Sequence, residues 1–542
     1  MANKKAEEYL RIYDVEWGKN ATFRSLWQDT SSLQFPRESN INETNYRGSE
    51  QTEDIPDTTA IEDSKEMADG LSSAIIPAGE YFFKLNVPSD NLGGQSEDYV
   101  DYLHYLTDRT HTALFDSNFL LQLAESLRSL VVFGTCCLYS EWSGGLNFKD
   151  YDIALYQILE NSKGQIDTIM IKFPFTPRQA AQEWGEENIG KSMQEALKDE
   201  KKQNDNFQIL HFVEPRKGYN PRFEDSLGMQ WESTYIAVKD KEIIDEGGYP
   251  DFPYHVARWM KTTGEVNGRG IGTQINPQVR VLNQQLSDWI EFGNKAVNPA
   301  REVLSTFEGE LRTFPGATNE VVEIPSTKIM EMGAQNAPIG EKEILMQREV
   351  VHKAYKRDVW VQLADLKGDR RTTVEIRQRV LEGLRRIGQP AYRIQSELLG
   401  PNIRRNIKLL IENGAVEPPP PGLSFPDIEY LGLMANALTS GKARATQQWM
   451  AIGSELSERF PALLDNVNAD QSYRDIGRSL GVGLEHMNTI DQRDGIRETR
   501  QKELQQKEAM EQGQALAQGY SQTTGAPEEG SPAGAVMEAA GG

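Results

Sequence analysis

Apolar residues recur every three or four positions through the first quarter of the chain. Leu10, Tyr13, Trp17, Leu26 and Trp27 predict one or two helices within residues 5–30, ended by Gln34-Phe35-Pro36. Met67, Leu71, Ala74 and Ile75 give the face of another helix from Asp63 to Ile76, followed by the breaker Pro77-Ala78-Gly79 and the strand-like YFFKLNV. Val100, Leu103, Leu106 and Leu114 predict helix from Glu97 to about Phe115, and Asp116-Ser117-Asn118 offers caps for the next, running through Leu130. Helix dominates up to Cys136.

The period then shortens to two. In YQILENSKGQIDTIMIKF, Ile166, Thr168 and Met170 alternate with Asp167, Ile169 and Ile171 after an Asn-Ser-Lys-Gly turn, which predicts a β-hairpin. Thr176-Pro177-Arg178-Gln179 reads as a capping box opening a short helix. Further strands are expected at FQILHFVEP, STYIAVKD and YHVARWM, so residues 140–260 form a mixed α+β region without a regular βαβ repeat.

Helical spacing resumes after Asn276-Pro277, read as a cap and first turn, with Val279, Leu282, Leu286, Trp289, Gly293 and Val297 on one face until Asn298-Pro299. This predicts a helix of roughly 30 Å. Residues 298–340 hold short β-like runs, REVLSTF, NEVVEIP and TKIMEM. A second helix follows from Glu341 through Ile344, Leu345, Val351, Tyr355, Val359 and Leu363. Two helices thus flank a small β-rich excursion.

Beyond Lys367-Gly368-Asp369-Arg370-Arg371, the apolar series from Val374 to Leu410 marks a helical stretch ending at Asn413-Gly414. As one rod, residues 373–413 would extend roughly 60 Å, but Pro390 and Pro401 require a kink or a break. Glu417-Pro-Pro-Pro-Pro-Gly422 reads as a stiff linker and the clearest boundary in the chain. Residues 425–510 read as a smaller helical unit, and the Gln-, Gly- and Ala-rich tail from about Gly513 cannot fold alone.

With 542 residues, roughly three or four folding units are expected. The chain carries 81 acidic against 58 basic residues, a net charge of -23, which argues against tight gripping of phosphates, although excess charge also simply disperses many proteins. Cys136 and Cys137, the only cysteines, are adjacent in an apolar run and are expected as buried thiols, consistent with synthesis in a reducing cytosol. MANKKAEEYL lacks an apolar signal core, and no apolar stretch reaches the roughly 20 residues of a membrane helix, so neither export nor a membrane span is expected.

Catalytic and cofactor signals are weak. GEVNGRGIGTQ at 264–274 lacks the lysine and Ser/Thr of a P-loop and reads as a turn before a helix. His104, His111, His211, His255, His352 and His486 are dispersed, and the two cysteines have no second pair to complete a zinc site. No nucleophile elbow, H-E-x-x-H or kinase motif is present, so no catalytic residue, cofactor or metal is assigned.

The order of whole segments is the more specific signal. Through RSLWQDTSSLQFP, DSKEMADGLSSAIIPAGEYFFKL, PYHVARWMKTTGEVNGRGIGTQINPQVRVLNQQL and TTVEIRQRVLEGLRRIGQPAYRIQSELLGPNIRRNIKLLIENG, the chain resembles the portal, or head-to-tail connector, family of podovirus-type bacteriophages over about residues 5–510. The resemblance implies an α+β portal fold in a ring, usually dodecameric, at the capsid vertex of the virion. It implies a wing over residues 1–265, stem helices at 266–297 and 341–366, a clip at 298–340 and a channel loop at 367–372. A long kinked wing helix at 373–413, a crown at 414–495 and a barrel helix with a disordered tail at 496–542 complete it.

On the same resemblance the protein is not an enzyme. Its partners are copies of itself, double-stranded DNA in transit, the terminase large subunit that hydrolyses ATP, adaptor and tail proteins, and the major capsid protein with scaffold or internal core proteins. Lys367, Arg370 and Arg371 fall in the channel-loop segment, where repetition around a ring would make a basic girdle in an otherwise acidic bore. A phage nucleic-acid enzyme and an ordinary capsid or scaffolding subunit are the alternatives.

Overall fold

The computed structural model describes residues 2–38, 40–43, 48–77, 80–87, 97–223, 225–297, 301–303, 327–329, 337–364, 383–421, 425–432 and 492–507, with Trp449, Asp470 and Tyr473. The chain divides into two compact units, Met1–Leu438 and Thr439–Gly542, fewer than its length suggests.

Helices α1 (Ala2–Lys19) and α2 (Ala21–Gln34) are separated at Asn20, whose side chain donates to Gln157 Oε1 at 2.5 Å. Helix α3 (Thr59–Ile75) buries Met67, Leu71, Ala74 and Ile75 as expected, and strand β1 (Phe83–Asn86) follows. Helix α4 spans Glu97–Phe115. Helix α5 (Phe119–Val132) begins where Ser117 Oγ accepts the Phe119 N–H at 3.1 Å.

Strands β2 (Thr135–Trp142) and β3 (Leu146–Tyr151) come next, and helix does not give way at Cys136 but at Phe133-Gly134. Six successive residues of β2 are buried because both of its faces are covered, which removes the alternation that marks a half-buried strand. Both cysteine thiols are buried and free in β2.

Strands β4 (Tyr156–Glu160) and β5 (Ile166–Phe175) form the expected hairpin, and helices α6 (Pro177–Trp184) and α7 (Lys191–Leu197) precede β6 (Phe207–Pro215). The capping box is present: Thr176 N–H donates to Gln179 Oε1 at 3.0 Å and Gln179 N–H to Thr176 Oγ1 at 3.3 Å. Strands β7 (Trp231–Ala237), β8 (Glu242–Tyr249) and β9 (Tyr254–Arg258) complete two antiparallel sheets, β4-β5-β6-β7-β8 and β3-β2-β9. In β5, Ile169 and Ile171 join the core with the smaller sheet, whereas Met170 packs with Ala6, Tyr9 and Tyr13 of α1, where Tyr9 stacks on Phe212 at 4.1 Å.

Helix α8 runs from Ile271 to Val297, so Asn276-Pro277 is not its start; Pro277 sits inside it. The missing proline N–H falls in the second turn, where the helix is already held from outside, and the lost bond to residue 273 is tolerated there. Strands β10 (Arg301–Val303) and β11 (Thr327–Ile329) pair antiparallel, with Arg301 opposite Ile329. Helix α9 (Ala337–Ala354) starts four residues before the expected Glu341, and a break at Tyr355-Lys356, where Lys356 has φ 56°, separates it from α10 (Arg357–Ala364).

The described part of the expected rod is segmented: α11 (Gly388–Arg393), a π-turn over Ile394–Leu399, and α12 (Gly400–Glu412). Pro401 in the first turn of α12 would leave the carbonyl of residue 397 without its α-helical donor, and the wider π register relieves the clash. Buried Ile403, Ile407 and Leu410 seat α12 in the main core with α3, α4, α5 and α8.

The proline run is not a boundary. Tyr102 and Tyr99 hydroxyls donate to the Glu417 and Pro421 carbonyls at 2.8 and 2.9 Å, and the chain returns as β12 (Asp427–Tyr430) to pair with β1. In the second unit, residues 492–507 are helical and Asp470 bridges Arg493 and Arg497. The Gly513–Gly542 tail lies outside the described residues.

Candidate functional site

The feature that dominates the first unit is the α8/α9 hairpin with the β10/β11 pair beyond it. Its base is fixed first by backbone contact. A Cβ on Gly270 would stand 2.5 Å from the Val132 carbonyl oxygen and one on Gly272 2.7 Å from the same atom, so the end of α5 and the start of α8 touch without side chains between them. Gly134, at φ +97°, turns the chain there and accepts the Trp259 N–H at 2.8 Å. Gly268 N–H donates to Thr135 Oγ1 at 2.8 Å, Arg269 N–H to the Met260 carbonyl at 2.8 Å and Gly270 N–H to the Phe133 carbonyl at 3.2 Å. Three successive amides, those of Gly268, Arg269 and Gly270, are thus engaged within the chain, and this part of GEVNGRGIGTQ is a close-packed joint.

Side chains lock the same base. Gln34, fully buried at the end of α2, donates to the Gly272 carbonyl at 2.9 Å and to Asn276 Oδ1 at 3.2 Å, and accepts from the Tyr355 hydroxyl at 2.6 Å. One amide thus spans both helices. Asp57 accepts from Arg348 Nε at 2.8 Å while its N–H donates to Asn283 Oδ1 at 3.1 Å. Asp63, whose carboxyl burial raises against the opposing pull of His352, lies 2.6 Å from His352 Nδ1 and 3.3 Å from Arg357. Sequence reading missed all three anchors, because a buried Gln or Asp on a helix has no signature without its distant partner.

The outward faces of the hairpin are apolar where solvent would favour charge. Val281 and Ile290 on α8 and Leu345, Met346 and Val350 on α9 are 44–60% exposed. Inside the hairpin, the Trp289 ring lies where a Cβ on Gly340 would be, at 2.9 Å. Lys367, Arg370 and Arg371, the basic residues singled out in sequence, lie outside the described residues. The segment that carries them follows α10, whose Trp360 indole packs against Gly70 of α3.

Elsewhere, ionisable groups serve packing. Burial holds His111 down to about 4 and His211 and His255 down to about 3; His211 stacks on Tyr235 at 3.9 Å and bonds Tyr254 and Ser233 at 2.7 and 2.9 Å. Burial likewise pushes the Cys136 and Cys137 thiols up. Among the described residues no group of His, Cys, Asp or Glu is arranged to hold a metal ion, and no helix is long and apolar enough to cross a membrane.

A braced helical hairpin with exposed apolar flanks and a small strand pair beyond it has the character of a structural element, with surface to offer to other chains. The chain belongs to the bacteriophage head to tail connecting protein family, whose sequence profile matches residues 6–487. It is 24% identical over 540 residues to the portal protein of Salmonella phage epsilon15, covering 96% of this chain and 95% of that one. It is also 23% identical over 526 residues to a probable portal protein of Bordetella phage BPP-1, covering 93% and 92%.

Proposed function

We propose that this chain is the subunit of a phage portal, a ring set at the capsid vertex of the virion through which double-stranded DNA enters and leaves. The observation that carries the reading is similarity to two portal proteins over 95% and 92% of their own lengths. The α8/α9 hairpin serves as the stem, the residues between its helices as the clip, and the segment after α10 as the channel loop. The exposed apolar flanks of the stem find their partners on neighbouring copies, twelve in the usual ring.

As a portal the chain is structural, with no catalytic residue of its own, and ATP hydrolysis belongs to a terminase large subunit that docks at the clip. Adaptor and tail proteins replace the terminase after packaging, while capsid and scaffold or core proteins surround the wing. An excess of 81 acidic over 58 basic residues suits a bore that must not trap DNA. Electron microscopy of the purified protein at micromolar concentration is expected to reveal closed rings with an axial hole. A stable monomer, or closed shells, would sink the reading.

A further inference from the structure

We propose that Tyr355-Lys356 is a two-state hinge, at which α9 and α10 exchange the observed bend for one continuous helix. The hinge is read from the subunit alone, and only its bearing on genome passage rests on the portal reading above. The local sequence asks for no break. Residues 349–364 contain neither glycine nor proline, and as one helix α9 and α10 would run about 42 Å. Instead Lys356 has φ 56°, a left-handed conformation that is costly for any residue but glycine. Among the described residues Lys241 is the only other such case, and it closes the turn between β7 and β8, where left-handed backbone is ordinary.

The bend is made by exchanging hydrogen bonds. In a continuous helix the Tyr355 carbonyl would take the Val359 N–H and the His352 carbonyl the Lys356 N–H. Here Val359 N–H donates to the Lys356 carbonyl at 2.9 Å and Lys356 N–H to the Lys353 carbonyl at 3.3 Å. The Tyr355 carbonyl accepts the Trp360 indole N–H at 3.1 Å instead. A side chain has thus entered the ladder in place of a backbone donor. Straightening reverses the exchange: Val359 N–H returns to Tyr355 and Trp360 comes away.

What holds the bend lies outside the helix. Trp360, 3% exposed, fills the space that a Cβ on Gly70 of α3 would need, and a Cβ on Gly383 would stand 2.6 Å from Val359. Arg357 reaches Asp63 at 3.3 Å and Glu66 at 3.6 Å. Ahead of the break α9 has anchors of its own, Arg348 on Asp57, His352 on Asp63 and Tyr355 on Gln34, so α10 can leave α3 without freeing α9. A local preference for straight helix and a tertiary preference for the bend oppose each other across one residue, the makeup of a bistable element. Backbone strain concentrates where it is used, and the chain after α10 carries Lys367, Arg370 and Arg371.

The test places spin labels on the full chain at Lys342→Cys and Gln362→Cys, with Cys136 and Cys137 buried away from the reagent. Dilution into unlabelled chain restricts the measured distances to single copies. A straight helix sets the two positions about 30 Å apart along its axis, and the bend sets them closer. The parent should show the shorter distance. Gly70→Ala, which expels Trp360, and Trp360→Phe, which removes the indole donor, should each raise a discrete second peak at the straight-helix distance. Adding Lys356→Gly to either should remove that peak, since glycine takes a left-handed φ freely. Unchanged distances in both variants, or broadening without a longer peak, as local melting would give, overturn the hinge whether or not rings form. In particles Lys356→Gly alone should leave rings intact and slow DNA packaging several-fold. A parental rate would overturn the hinge's part in genome passage and leave the portal reading standing, whereas absence of rings from the parent chain would overturn that reading and leave the hinge.

Discussion

Glu38, Asp150 and Asp152 converge from the turn after α2 and from the β3 end of the small sheet. Ser129 donates to Glu38 at 3.2 Å, Ser126 donates to Asp150, and the Ala154 N–H bonds Asp152 at 2.8 Å. Desolvation raises all three carboxyls, and their mutual charge raises Glu38 further; Asp150 is pushed up to about 7. An unfolded aspartate titrates near 3.9, so between about pH 4 and 7 the folded chain holds a proton that the unfolded chain has released. Stability therefore falls as pH rises through that window, with the loss complete above it. Melting temperature is expected to drop from pH 5 to pH 8, and Asp150→Asn, which keeps an oxygen for Ser126, should flatten the drop. An equal slope in the variant would remove Asp150 from the account. Nothing in the sequence marked these residues, since Glu38 lies more than a hundred positions from its two neighbours.

Among the elements, legibility tracked how many faces each one buries. One-sided helices such as α4 were readable to the residue, because Leu103, Leu106 and Leu114 recur at helical spacing on its one buried face. Strand β2 was not, being buried on both sides, and β8 was hidden by Asp245, Glu246, Gly247 and Gly248 at an edge. The start of α8 was misplaced because Asn276 looks like a cap, whereas its amide oxygen accepts from buried Gln34. That bridge has a measurable role. Tyr355→Phe removes the hydroxyl from Gln34 Oε1 and leaves a buried acceptor open, a change of about 1–3 kcal/mol. A lower melting temperature and faster hydrogen exchange at the start of α8 are expected, with α12 unchanged as the internal control; unaltered exchange in α8 would show that the glycine joint alone holds the hairpin.

Across the whole molecule, the mixed α+β core and the two-helix hairpin were legible as classes of structure, whereas the proline run was misread as a boundary, since its tie to α4 is made by two tyrosine hydroxyls. The candidate girdle of Lys367, Arg370 and Arg371 remains a reading of segment order and charge. Replacing all three with Ala should leave rings intact and reduce DNA translocation rate or retention of the packaged genome, because a basic ring in an acidic bore gives brief, sequence-independent phosphate contacts. Equal packaging rate and retention in variant and parent particles would exclude that role.

The pairing of β1 with β12 bears on how the chain is made. Phe83–Asn86 must wait for Asp427–Tyr430, about 340 residues later, and at roughly 5–20 residues per second a ribosome needs between about 17 and 70 s to supply them. During that interval the side of β1 that β12 will cover presents backbone donors and acceptors to any nascent chain nearby, and a polysome lines up many such chains with the same vacancy. Premature termination anywhere before residue 427 makes that vacancy permanent. The late strand is thus the step at which synthesis of an intact subunit separates from the production of fragments primed to stick to it.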